Sequence, residues 1–415
     1  MIGRTNALSA AGVELSLVVS VTTGSVVTAT KGSLSVSGTA SGGSVTLKLP
    51  EAGTWSVVAT YNGQTSDTKT VSVVDSYAVT LTYFSATINV TVPSGATVYL
   101  KKGGTTLQTK TSTGTVAFTV TETGTYTVEA TNGSQTTSGT VSVTSATSYP
   151  LTLSFVSSTL NNNEWDVISS VSDAGEGANY WSVGDRKAVV LNGTVGNLSL
   201  SSVTTYAFIL GFNHNSSVEG SGRIHFQLAK TALSGGTDVA LCDSKYNSSV
   251  SATGYFSMNS SNTNSGGWKS SQMRTTICGT SLTSYSGTII AVIPAALRAV
   301  LKSVTKYTDN TGNSSAASAV TATTDYFFLL SEYEVFGSIS YGNSNESSKQ
   351  KQYDYYSAGN SKIKYRHDAT TTAVLWWLRS PYASNSNRFV SVNTDGTVNN
   401  NNANYSRGFA PGFCV

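Results

Sequence analysis

VSVTTGSVVTATKG, running from Val19 to Gly32, comes back as VTVPSGATVYLKKG from Val90 to Gly103. EAGTWSVVATYNGQTSDTKTVSVVDSYAVTLTYF, Glu51 to Phe84, comes back as ETGTYTVEATNGSQTTSGTVSVTSATSYPLTLSF, Glu122 to Phe155. Gly24 falls on Gly95, Gly53 on Gly124, Trp55 on Tyr126 and Phe84 on Phe155. The offset of roughly 70 residues marks a duplicated structural unit. Within each copy apolar and small polar residues alternate over short runs such as Ser56–Thr60 and Thr70–Val73, with Gly, Asn and Ser between the runs. Period two is the pattern of a strand with one buried face. Several such strands in a unit of this size close into a small antiparallel β-sandwich, giving stalk modules at 1–84 and 85–157. Trp55 and Tyr126, each just after a Gly-Thr turn, are expected in the core rather than on a sugar-binding surface.

The pattern resembles the carboxypeptidase-regulatory-like and immunoglobulin-like modules strung along phage and bacterial surface proteins, and the resemblance implies a spacer or virion-attachment stalk. Composition agrees with an exposed, mostly β protein. Charged residues make up 11% of the chain, against about 25% in ordinary globular proteins. Hydrophobic residues still reach 39%, with 21 Tyr, 13 Phe and 6 Trp, so there is enough to bury and disorder is excluded. The net charge of +3 points to no polyanion, and no nucleic-acid partner is expected. No apolar run approaches the about 20 residues a spanning helix needs, so no membrane insertion is expected. The start, MIGRTNALSAAGVELSLVVSV, shows no signal-peptide pattern. Extracellular composition without an export signal is a combination found in virion proteins, which assemble in the host cytoplasm and act outside after lysis.

From about Leu160 the texture changes to spaced aromatic anchors, Trp165, Trp181, Trp268 and the pair Trp376-Trp377, for a third domain at 158–415. IPAALRAVLKSVTKYT, Ile293 to Thr308, predicts a helix, with Pro294 in the first turn and Leu297, Val300, Leu301 and Val304 on one face. Gly266 to Ile277 reads as a second amphipathic helix through Trp268, Met273 and Ile277. Asp325–Leu330 and Ala373–Leu378 read as strands, and Asn161 to Asn163 as a linker into the domain. Glu332 and Glu334 alternate with apolar residues as on a strand and are expected to pair with Arg or Lys.

The ordered set WSVGDRKAVVLNG, YAFILGFNH, GGWKSSQMR, IPAALRAVLKSVTKYT, TTDYFFLLSEYEVFG, LWWLRSP and RGFAPGFCV is similar to a widespread domain of gut bacteria and their phages. That domain has the formylglycine-generating-enzyme variant of the C-type lectin fold, so the resemblance implies an α+β C-type-lectin-like domain closed by a terminal strand. A recurring member of that family is the variable protein diversified by a retroelement, whose carboxy-terminal segment is rewritten at adenines. Between LWWLRSP and RGFAPGFCV, over about 380–407, lie Tyr382, Asn385, Asn387, Asn393, Asn399, Asn400, Asn401, Asn402, Asn404 and Tyr405. The resemblance implies that these residues form a ligand-contacting surface held at both ends by strand pairing. Tyr suits rigid contact area and Asn adaptable hydrogen bonding. The plainer alternative is a polar loop with no partner, since Asn is common in turns. Trp376 and Trp377, adjacent on a strand, point to opposite faces and cannot form one flat platform. Arg379 is expected to fix the variable loop by hydrogen bonding.

Catalytic patterns are missing. Cys242, Cys278 and Cys414 have no C-x-x-C spacing and read as buried small apolar residues. His214, His225 and His367 have no metal-ligand spacing, although His214 and His225 could meet across a hairpin. Asn393-Thr394-Asp395-Gly396 reads as a tight turn rather than half a calcium site. The chain is therefore expected to be no enzyme and to need no cofactor or metal. It is expected to be a phage tail or tail-fibre adhesin that binds a bacterial surface protein or glycan, alongside other virion proteins and with homo-oligomerisation open. The competing expectations are a head-fibre or decoration protein and a bacterial surface adhesin of the same organisation.

Overall fold

The computed structural model describes residues 15–133 and 135–415. The expectation of no signal peptide rests largely on residues 1–14, which lie outside the described residues. Strands hold 45% of the chain and helices 14%, so the protein is mostly β. It divides into two compact units, Met1–Phe155 and Val156–Val415.

The first unit contains two sandwiches of one design. In the first, Leu34–Thr39, Val26–Lys31, Gly53–Tyr61 and Lys69–Val73 make one sheet, while Ser44–Lys48, Ser16–Ser20 and Ser76–Thr80 make the other. In the second, Thr105–Thr111, Thr97–Lys102, Gly124–Asn132 and Gln135–Val143 face Thr115–Val120, Ala86–Thr91 and Ser148–Thr152. Register repeats as well, with Gly53 opposite Val73 and Gly124 opposite Val143. The sandwiches are not wholly antiparallel. The first and last strands of each run parallel, Leu17 beside Tyr77 and Ile88 beside Tyr149.

Trp55 is fully buried and donates its indole N–H to the Glu51 carbonyl at 3.3 Å; Tyr126 is 1% exposed and donates its hydroxyl to the Glu122 carbonyl at 3.0 Å. Both are core residues with one polar tip satisfied, which removes them as sugar platforms. Above them the same ion pair recurs, Lys31 with Glu51 and Lys102 with Glu122, each at 2.8 Å. The lysines lie over Gly53 and Gly124, whose φ values of +137° and +138° favour glycine.

In the second unit a five-stranded sheet runs Arg186–Val195, Leu198–Phe212, Ile224–Lys230, Gly412–Cys414 and Phe327–Phe328. The strand Gly412–Cys414 thus sits inside the sheet, and Phe413 stacks on Phe226 with ring centres 5.3 Å apart. Cys242, Cys278 and Cys414 are buried free thiols, and burial pushes Cys242 up to about 12 and the other two upward. They are unreactive at neutral pH.

Several local expectations are corrected. The predicted helix Ile293–Thr308 is helical only over Ala295–Ala299, and Val304–Asp309 is a strand paired with Val320–Asp325. Arg298 turns back onto the carbonyls of Ile290, Ala291 and Ile293, and the β-branched Val304, Thr305 and Thr308 take the sheet. Gly266–Ile277 breaks into Gly267–Ser270 and a wide-turned π-helix, Met273–Cys278, because Ser271 is extended. Glu332 and Glu334 stand on a helix, Glu332–Phe336, started by a capping box between Ser331 and Glu334. Asn161–Asn163 is no linker: Asn163 is 3% exposed and holds the Ser157 backbone, while the Asn161 side chain accepts from the Ala188 amide.

Candidate functional site

The asparagine run is a strand. Val398–Asn402 forms the edge of a three-stranded sheet, pairing with Arg388–Val392, which pairs in turn with Trp376–Pro381. Phe389, Val390, Ser391 and Val392 are all fully buried, so the middle strand is covered on both faces and holds its neighbour through the backbone ladder. Asn393 to Thr397 makes the turn between them, with the Asp395 carboxylate taken by the Thr397 amide at 3.0 Å.

Directly opposed residues share a face, so Asn401 lies with Phe389, Asn399 with Ser391, and Asn400 with Val390. The predicted set is therefore split between two faces. On one, Asn400 accepts from the exposed Arg388 guanidinium at 2.8 Å, and Asn402 stands opposite Arg388. On the other, Asn401 donates to Ser391 Oγ at 2.8 Å and accepts from Arg407 at 2.7 Å. Arg407 lies over the Tyr405 ring, and burial pushes its guanidinium below the ordinary value. Asn399 closes on its own chain, accepting from the Asn400 amide at 2.7 Å.

The loop before the strand carries Tyr382, Asn385 and Asn387. The Tyr382 ring packs edge-on against Tyr341, and the Asn385 side chain accepts from the Asn387 amide at 3.0 Å. One residue outside the expected set organises this loop. Asn264, 1% exposed, donates its side-chain amide to the carbonyls of Tyr382, Asn385 and Arg388. The loop also meets the far end of the run, where the Ala403 amide donates to the Asn387 carbonyl at 2.8 Å. Asn393 is apart from this group, about 16 Å along the ladder from Asn402, which stands opposite Arg388.

Each predicted contact residue is half-buried rather than projecting. Around them lie buried polar atoms with no hydrogen-bond partner among the described residues: Oδ1 of Asn264, Asn387 and Asn404, and Nε of Arg407. Such atoms are costly unless water or a ligand satisfies them.

Behind this sheet lies a buried charge cluster that sequence spacing did not disclose. Arg379, fully buried, bonds both oxygens of Glu334, Thr308 Oγ1 and the Leu329 carbonyl. It touches the core, not the variable loop, which corrects the expectation for it. Trp376 and Trp377 are likewise both fully buried, donating to the carbonyls of Lys362 and Phe256. Lys306 reaches Glu219 at 2.6 Å, Glu334 at 3.0 Å and the Tyr353 hydroxyl at 2.9 Å.

His214 and His225 do meet, with ring centres 5.5 Å apart, and His214 stacks on Tyr353. Burial pushes His214 down to about 3 and His225 well down, with Lys306 adding to both; burial pushes Glu219 up to about 7. Burial opposes ionisation of Glu334, but Arg379 and Lys306 outweigh it and hold that carboxyl far below the usual range. Ligand atoms of His214, Glu219 and Glu334 lie within 4.8 Å of one another, a spacing that fits a metal ion. The Lys306 ammonium already occupies the space between the two carboxylates. Two of the three donors, Glu219 and Glu334, are therefore taken by that cation, and its positive charge opposes a metal ion beside it.

Residues 245–415 match a family model described as a domain of unknown function (DUF6273). No curated protein matches the chain. Among solved structures the chain is similar to GBS52, the minor pilin of the Gram-positive pathogen Streptococcus agalactiae, at 10% identity and TM-score 0.24, over 34% of this chain and 95% of that one. It is similar to the Bacillus anthracis TIE protein at 10% identity and TM-score 0.17, over 54% and 46%. It is also similar to a tandem of titin Ig domains at 11% identity and TM-score 0.11, over 34% and 95%. Likenesses this distant bear on no function.

Proposed function

We propose that this protein is a virion adhesin of a phage, carried on the tail or its fibres, and that its carboxy-terminal unit binds a bacterial surface protein or glycan through the segment 382–405. In this reading the unit is a lectin-fold domain of the retroelement-diversified type, and the two sandwich modules are its stalk. The observation that carries the reading is the set of orphaned amide oxygens on a segment whose backbone is held at both ends. Strand pairing and Asn264 fix the chain, so side chains can change with little effect on the frame, and the buried Asn387 and Asn404 oxygens lack a hydrogen-bond partner among the described residues, a cost that a bound ligand or water reaching them would offset.

Half-burial of every predicted contact residue favours one competing reading, a head-fibre or decoration protein whose segment contacts nothing. Adsorption of the purified protein to bacterial cells separates the two. The variant joins Arg388→Ala, Asn400→Ala and Asn402→Ala and spares Asn401, which supports Arg407. Loss of adsorption at unchanged melting temperature supports the receptor surface; equal adsorption, or none by either protein, moves the structural reading to first place. A reverse transcriptase gene beside a near-duplicate of the 3′ coding end would establish diversification.

A further inference from the structure

A shallow groove in the second unit lies between the segment 253–265 and the π-helix Met273–Cys278, with a volume of about 360 Å³. Its lining residues are all Ser, Thr, Asn or Gln; no carboxylate, amine, guanidinium or ring is among them. Some of these side chains build the walls. Asn259 accepts from the Gln272 amide at 3.1 Å and donates to the Thr263 carbonyl at 2.7 Å, while Gln272 donates to the Tyr255 carbonyl at 3.2 Å. Thr275 bonds back to the Ser271 carbonyl. Against that fixed frame, the hydroxyls of Thr253, Ser260, Ser261, Ser270 and Thr276 have no hydrogen-bond partner among the described residues. The wide π turn brings Thr275 and Thr276 to this groove while keeping Met273 and Ile277 in the core.

We infer that this groove is a second binding site, distinct from the asparagine segment, and that it takes a short neutral saccharide. An anion would find no cation there, a cation no carboxylate, and an apolar ligand no apolar wall. A polyhydroxylated neutral ligand can both donate to and accept from free hydroxyls. The volume lies near the low end of small-ligand sites, roughly 300–1,000 Å³, so it suits a chain end rather than a long polymer. Without an aromatic platform each contact is weak, and several copies on one particle raise the avidity. The groove shares its frame with the proposed receptor surface. Asn264 clamps residues 382–388, and the Asn259 amide donates to the Ala403 carbonyl at 3.0 Å.

The test is binding of the full-length protein to an array of immobilised neutral oligosaccharides ending in glucose, galactose, mannose or N-acetylglucosamine, with sulfated and sialylated counterparts beside them. Ser261→Glu and Thr276→Lys place a charge in the groove, and Thr46→Lys, in the first unit, controls for added charge. Matching tryptophan-fluorescence melts confirm folding. Binding of a neutral glycan by the wild type and the Thr46 variant, weakened at least about tenfold in both groove variants, is the expected result. No neutral glycan bound, charged glycans preferred, or groove variants equal to wild type each overturn the inference. Cell adsorption measured in parallel reports separately on the receptor reading: adsorption that survives the groove variants and fails in the strand variant supports that reading and leaves the groove to the array.

Discussion

Replacing Glu334 by Gln tests what holds the second unit together. Glu334 is fully buried and meets two cations, Arg379 through both oxygens and Lys306 at 3.0 Å, while also accepting from the Ser331 amide at 3.0 Å. Glutamine keeps the shape but removes the charge and points an N–H at one of its former donors. Lys306 retains Glu219; Arg379 retains only neutral acceptors, so one cation is left buried without its counter-charge. Breaking a buried pair from one side costs about 3–5 kcal/mol. For a unit of this size each 1 kcal/mol moves Tm by about 2–4 °C, so the expected fall is about 6–20 °C. Tryptophan fluorescence is the assay, because Trp165, Trp181, Trp268, Trp376 and Trp377 report on the second unit and only Trp55 on the first. Adding Arg379→Met removes the stranded cation, so the double variant should melt above the Gln single. A single variant that loses under about 1 kcal/mol, or a double whose loss equals the sum of both singles, would refute the charge-balance account.

Glu346, buried and pushed up to about 7, contributes stability that is full below pH 4.5 and lost as pH rises through 7; His214, pushed down to about 3, contributes stability present above 6.5 and lost as pH falls toward 3. Tm should therefore change little between pH 4.5 and 6.5 and fall on the acid side, and a Glu346→Gln profile superimposable on wild type above pH 5 would contradict this. Asn264→Ala should cost about 1–3 kcal/mol and speed amide hydrogen exchange over 382–388; unchanged exchange there would remove its role as the loop's clamp. Trp55→Ala and Tyr126→Ala should each cost about 3–5 kcal/mol and open the first unit to limited proteolysis, whereas a surface role for either ring predicts no change.

The duplicated modules were legible because both of their signals are local, period-two alternation and turn residues, and because the same signals occur twice. The second unit was legible only in part. Ile293–Thr308 carries a helical stripe, yet the strand Val320–Asp325 claims its second half, and nothing in a local window announces a partner. The helix at Glu332 was readable, since Ser331-Glu332-Tyr333-Glu334 is a capping-box sequence, but alternation with apolar neighbours masked it. Arg379 sits three residues from the variable loop in sequence and is buried in the core in space. The asparagines read as loop residues by composition, and their strand is imposed by Arg388–Val392 beside them. Asn264 and Lys306 gave no signal at all, because their importance lies in contacts with residues far along the chain.

The parallel pairing of first and last strands in each sandwich has a mechanical consequence. Ser16–Ser20 lies beside Ser76–Thr80, and Ala86–Thr91 beside Ser148–Thr152, each over five paired positions. In a parallel pair, the start of one strand and the finish of the other lie at opposite ends of the ladder. A pull on the two termini of a module therefore shears the ladder along its length and loads its hydrogen bonds together, instead of unzipping them one by one. Each module should therefore resist tension applied at its two ends, and single-molecule stretching should show two separate force peaks, one for each.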